Sequence, residues 1–118
     1  MAAPRRGEVW QVDFDPSVGA EMRKLRTAVV ISVDAVGRLP LRIVVPITGW
    51  RQEYGGYPWF VHLTPTAANG LTKESGADAF QVKSVSEGRC KRRLGSLPED
   101  LLDEIAAAIA LCVGLRLT

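Results

Sequence analysis

The chain has 118 residues, enough for one domain and too few for two ordinary ones. Hydrophobic residues make up 47% and charged residues 24%, the balance of a globular protein, which sets disorder aside. The net charge of +2 divides unevenly: residues 1–98 hold 14 basic and 9 acidic side chains, whereas residues 99–118 hold four acidic ones against Arg116 alone.

Residues 8–14, where Trp10, Val12 and Phe14 alternate with Val9, Gln11 and Asp13, predict a first strand that Asp15-Pro16 ends. An irregular segment, 17–25, carries Gly19, Glu21, Arg23 and Lys24. The unbroken Ala28-Val29-Val30-Ile31 run within 26–32 predicts a strand buried on both faces. Residues 41–48 predict a third strand, with Leu41, Ile43, Val45 and Ile47 on one side. Pro46 has no N–H to give to a ladder, which predicts an edge position or a bulge there. A loop over 49–58 holds Trp50, Arg51, Tyr54 and Tyr57 around Gly55-Gly56, and residues 59–63 predict a fourth strand. A loop-rich stretch over 64–76 precedes a strand over 77–85 and a short last strand over 89–94. Ser96-Leu97-Pro98-Glu99 has the form of a capping box, in which Ser96 and Glu99 satisfy orphan N–H groups at the start of a helix. That helix is predicted over 97–113, with Leu101, Ile105, Ile109 and Cys112 on its apolar face and Gly114 as its stop. These elements predict a single domain over 1–118, mainly β with α: a small β-barrel with one long C-terminal helix.

The longest uncharged apolar run, Ile105 to Leu115, has 11 residues where a helical membrane span needs about 20. Arg5 and Arg6 are followed by Glu8, Asp13 and Asp15 where a signal peptide needs its apolar core. Cys90 and Cys112 belong to no CxxC or Cys/His cluster, so neither a disulfide framework nor a zinc site is expected, and a reducing cytoplasm fits. Five of the eleven residues 83–93 are basic (Lys83, Arg89, Lys91, Arg92, Arg93), and a basic body beside an acidic helix suits a polyanion, although a solvated charged face has the same composition. His62 is the one histidine, which excludes a two-histidine acid/base pair within one chain, and its alternation with Val61 and Leu63 points it outward. No GxSxG elbow, P-loop or metal-ligand spacing occurs. What remains is the polar group Glu21, Arg23, Lys24 and Arg26, with Thr48 closing another strand. Arg26 and Thr48 read either as a surface cation and a strand-end residue or as two groups at one barrel rim, and composition leaves both open.

Gly7-Glu8-Val9-Trp10, Val12-Asp13-Phe14-Asp15-Pro16 with Gly19 and Glu21, and Arg26 ahead of Ala28-Val29-Val30-Ile31-Ser32 together resemble the opening of the MazF/PemK family of toxin endoribonucleases. The resemblance continues in Val45-Pro46-Ile47-Thr48, in Gly56-Tyr57-Pro58, in Gln81-Val82-Lys83-Ser84-Val85 and in the helix after Leu97-Pro98-Glu99-Asp100-Leu101, so it covers nearly the whole chain. The chain departs from the family pattern at Thr27, Gly49 and Phe80, where the family usually has proline, serine or threonine, and an acidic residue.

The resemblance implies an SH3-like, CcdB/MazF-like barrel and a homodimer that acts as the toxin of a type II toxin–antitoxin system. Its implied activity is that of an mRNA interferase, cutting single-stranded RNA at short sequences with no metal or other cofactor and so stopping translation and growth. The implied partners are single-stranded RNA, a cognate MazE-like antitoxin with an acidic disordered tail, and operator DNA only through the antitoxin complex; no membrane is implied. By position, Arg26 and Thr48 are the catalytic pair and Glu21 supports them, while Arg23, Lys24, Trp50, Arg51, Tyr54, Gln81, Lys83 and Arg89 bind RNA. An arginine fork fits a phosphate and stabilises its growing charge, and a pKa above about 12 makes it a clamp and proton donor, not a base. Thr48 would donate to a phosphoryl oxygen, and Glu21 would either accept a proton or orient Arg26. Lys24, Arg51, Lys83 and Arg89 suit phosphates, and Trp50 and Tyr54 suit stacking on unpaired bases. Two alternatives stand beside this reading: a CcdB-like toxin that binds DNA gyrase, a group lacking the arginine/threonine pair, and a degenerate member that binds RNA or antitoxin without cutting.

Overall fold

A computed structural model describes residues 3–16, 18–21, 24–36 and 39–116. In chain order it contains β1 (Glu8–Asp13), β2 (Leu25–Val30), β3 (Leu41–Gly49), β4 (Phe60–Leu63), β5 (Ser75–Asp78), β6 (Lys83–Ser86), β7 (Cys90–Ser96) and α1 (Glu99–Cys112). The strands join in the order β4-β5-β3-β2-β1-β7, with β6 also on β3. Every one of these pairings is antiparallel.

β1, β2 and β3 carry a core on each face. Val9, Val29, Val45 and Ile47 form an outer core with Val61, Leu63 and Ala77 of β4 and β5 and with Leu102, Ile105 and Ala108 of α1. Trp10, Val12, Phe14, Ala28, Val30 and Val44 form an inner core with Val85 and Cys90. Successive strand residues point to opposite faces, so a strand between two cores must be apolar at every step. This is why 28–31 runs unbroken, and each such valine or isoleucine contributes about 1.5–3 kcal/mol of burial.

The mainly β fold with a C-terminal helix is observed, but the expected closed barrel is not formed. Among the described residues no ladder joins β7 to β4 or β6, and the sheet stays open. The reason lies in β3, whose outer edge pairs with β6 over Leu41 to Val44 and with β5 over Ile47 to Gly49, so the sheet splits into two layers on that side. Pro46, expected at an edge or bulge, is fully buried in this central strand. It falls in the gap between the two partners, where no N–H is asked for.

Two other expectations change. The capping box does not form: Ser96 belongs to β7, paired with Glu8, and its N–H donates to the Ala68 carbonyl at 2.9 Å. With Ser96 held in the ladder, Pro98 becomes the N-cap, its carbonyl accepting from Leu101 and Leu102. Glu99 instead faces Arg6, at 3.5 Å. At the other end Gly114, with φ of 78°, lets the Leu115 N–H return to the Ala110 carbonyl at 2.9 Å, so the predicted stop is observed. The single strand predicted over 77–85 breaks into β5, a 3-10 turn at Ala79–Gln81 and β6. The Asp78 carboxylate accepts from the Phe80 N–H at 3.2 Å and caps that turn.

Candidate functional site

The segment between β1 and β2 is anchored by polar contacts. The Phe14 N–H donates to the Lys24 carbonyl at 2.9 Å, and the Lys24 N–H donates to the Asp15 carboxylate at 2.8 Å. Arg89 closes it from β7's side: its Nη1 donates to the carbonyls of Asp13, at 3.0 Å, and Asp15. So held, the segment places Glu21 over a cleft of about 500 Å³ lined by Phe14, Ala20, Glu21, Phe80, Gln81, Val82 and Lys83. One Glu21 oxygen accepts from the Val18 N–H at 3.2 Å and the other lies 3.5 Å from Lys83 Nζ. Three predicted residues, Glu21, Gln81 and Lys83, therefore share one cleft. Arg23 lies outside the described residues.

Gln81 stands on the turn capped by Asp78, whose carboxyl is raised above its ordinary value by burial, against the lowering effect of hydrogen bonds from Phe80 and Gln81. The turn thus exposes Phe80 (66%) at the cleft edge and fixes Gln81 beside it.

Arg26 and Thr48 lie towards the same end of β2 and β3. Ala28 pairs with Pro46, and two residues further in that direction β2 reaches Arg26 and β3 reaches Thr48. Arg26 opposes Val12 and so takes the inner-core side of β2, while Thr27 faces outward. Thr48 and Thr27 line a second pocket, of about 220 Å³, with Gln11, Gly49, Lys73 and Arg92. The lining of the Glu21 cleft includes neither Arg26 nor Thr48, and that of the second pocket includes Thr48 without Arg26. The sequence marked Arg92 only as one member of a basic run and did not mark Lys73, because nothing in the spacing of 49, 73 and 92 brings them together.

The aromatic loop is packed largely on itself. Trp50 stacks on His62 at 4.2 Å and meets Tyr54 edge-on at 5.8 Å. Tyr54 stacks on Phe60 at 4.0 Å, and Tyr57 on Trp59 at 4.8 Å. His62 is exposed, as predicted, and its Nε2 lies 2.9 Å from the Glu74 carboxylate. Arg51 is exposed beside Glu53 at 3.9 Å. Lys24 is exposed at the end of its anchored segment.

Arg42, unremarkable in the sequence, is a buried structural cation: it donates to the carbonyls of Pro4, Leu39 and Leu41 and lies 3.1 Å from Glu87. Among the described residues no group of three or more His, Cys, Asp or Glu could hold a metal ion, and no helix is long and apolar enough to cross a membrane.

Residues 5–113 match the model of a family described as PemK-like, MazF-like toxin of type II toxin-antitoxin system. The chain belongs to this family. This PemK/MazF toxin is similar to the endoribonuclease MazF9 of Mycobacterium tuberculosis (strain ATCC 25618 / H37Rv), with 35% identity over 113 residues, 91% of this chain and 93% of that one. Its fold matches MazF from Deinococcus radiodurans with a TM-score of 0.80 and 26% identity, covering 98% of this chain and 100% of that one. It also matches MazF in a MazE-MazF structure (form III) from Deinococcus radiodurans, with a TM-score of 0.74, 25% identity and the same coverage. The three positions expected from the resemblance to depart from the family pattern line the two cavities: Phe80 the cleft, Thr27 and Gly49 the pocket.

Proposed function

We propose that this PemK/MazF toxin is a metal-independent endoribonuclease of single-stranded RNA, an mRNA interferase whose sequence-selective cuts arrest translation and growth in the cytoplasm. The observation that carries the reading is the β2–β3 register, which leads to Arg26 and Thr48 at one end of adjoining strands. Similarity to a relative named an endoribonuclease supports it. An inner core shared by residues of β1, β2, β3, β6 and β7 supports an SH3-like reading of the fold.

In the proposed reaction the ribose 2′-oxygen attacks the adjacent phosphorus, the bond to the 5′-oxygen breaks, and a 2′,3′-cyclic phosphate and a 5′-hydroxyl result. The 2′-hydroxyl proton passes to the Glu21 carboxylate, the one carboxylate among the described residues lining the cleft. The departing 5′-oxygen takes a proton from the Arg26 guanidinium, and both groups, being exposed, return to their resting states through solvent. Arg26 forks onto the phosphoryl oxygens and Thr48 donates to one of them, so growing negative charge meets donors already in place. Lys24, Arg51 and Lys83 offer cations to neighbouring phosphates, Gln81 offers an amide to a base edge, and Trp50 and Tyr54 offer rings to unpaired bases. Arg89 acts through the segment it holds. A cognate antitoxin with an acidic disordered tail complements the basic body and reaches operator DNA as a complex with this toxin, which is a homodimer.

Purified protein is expected to cut unstructured RNA in EDTA and to leave 5′-hydroxyl ends. Arg26→Ala is expected to abolish cutting with the circular dichroism spectrum unchanged, and Thr48→Val to slow it about 10²-fold, the worth of one such donor. Intact RNA together with relaxed or cleaved plasmid in a gyrase assay would instead mark a gyrase poison. RNA that is bound but uncut by the wild type would mark a binding-only member.

A further inference from the structure

We infer that the pocket beside Thr48 is a phosphate subsite for the RNA strand, with Lys73 and Arg92 as its cations. The inference rests on the ribonuclease reading and extends it from the scissile bond to a neighbouring phosphate.

The lining carries the chemistry. Two cations, Lys73 and Arg92, and the hydroxyl-bearing Thr27, Thr48 and Thr72 line a space of about 220 Å³ with no carboxylate among its described lining residues. Three other cations among the described residues are already engaged: Arg93 with Glu8, Arg42 with Glu87 and Arg89 with backbone carbonyls. The Lys73 ammonium and the Arg92 guanidinium have neither a hydrogen bond nor an ion pair among the described residues, so they are left for an anion brought from outside. Donors of this kind, without an acceptor carboxylate, position a phosphate and read no base.

Gly49 shows how Lys73 comes to be there. A Cβ at position 49 would stand 3.0 Å from Lys73 Nζ and 3.1 Å from its Cε, so the lysine side chain lies across the bare backbone next to Thr48. The Ser75 hydroxyl donates to the Lys73 carbonyl at 2.8 Å and holds the backbone from which that side chain springs. The absence of a side chain at 49 is thus matched by an ammonium in its place. Thr48 is part of the same lining, so a backbone held at Thr48 meets both cations.

The test is salt-dependent binding of a substrate RNA carrying a 2′-deoxy nucleotide at its mapped cut site, which binds without being cut. Lys73→Met and Arg92→Met are each expected to reduce the slope of log affinity against log salt by about 0.7, and the double variant to weaken binding about tenfold at low salt. Gly49→Ala is expected to weaken binding in the wild type and to do nothing in the Lys73→Met background, a dependence that a merely structural role would not produce. Lys73→Glu, with an unchanged melting curve, serves as a second variant and should weaken binding further than Lys73→Met. Wild-type affinity and slope in the double variant, with the wild type still cutting RNA, would overturn the subsite and leave the ribonuclease reading standing. A wild type that neither binds nor cuts single-stranded RNA would overturn both.

Discussion

Cys90 lies in the inner core, and burial pushes its thiol up to about 11 from an ordinary 9.0. Because the folded value is the higher one, the contribution to stability is whole below pH 9.0 and is lost as pH climbs through about 11. Urea unfolding followed across that interval should show stability falling. Cys90→Ala, weaker at neutral pH through the volume it removes, should fall less over the same interval. Equal alkaline losses in the two proteins would exclude the thiol as the cause. Single residues also mark how far a linear chain can be read. Arg26, Thr48 and Glu21 stand out through the motif they sit in, whereas Lys73 and Arg92 become partners only through folding. The one sequence trace of that pairing is Gly49, where a side chain is missing.

At the level of elements, patterning exposes what depends on neighbours in the chain and hides what depends on distant ones. The apolar run 28–31 was legible as a strand between two cores because alternation makes that demand on every residue. The turn at Ala79–Gln81 was not, because its cause is one Asp78 carboxylate reaching two residues on, inside a stretch of strand-like composition. The capping box was misleading for a related reason: a local motif lost Ser96 to a pairing with Glu8 at the other end of the chain. Arg89 belongs to the same lesson, since a basic run says nothing of which cation is already engaged. Its guanidinium brackets the β1–β2 segment, so Arg89→Met is expected to speed amide exchange in the described parts of 14–24 and to cost about 1–2 kcal/mol. Unchanged exchange there would show that Lys24 and Asp15 suffice to hold the segment.

Across the whole molecule, the outer core and helix leave an incompletely covered edge beside α1. Val33, Leu41 and Ile43 are 54%, 44% and 42% exposed, and Val33 and Ile43 line a groove of about 790 Å³ with Ala106 and Ile109 of α1. Arg6 and Glu99 on the same groove give it both signs of charge, as a surface meeting its own copy requires. The homodimer proposed above is expected to use this face, so Ile43→Asp should sediment as a monomer while the wild type sediments as a dimer. A dimeric Ile43→Asp would move the interface elsewhere.

The pocket at Thr48 holds about 220 Å³, a space that admits the phosphate and sugar of one strand but not two strands wound together. Duplexes resist bending over lengths of about 50 nm, whereas an unpaired chain turns at each nucleotide and can dip into so small a recess. Discrimination against paired nucleic acid then follows from the room available, with no residue devoted to detecting a second strand.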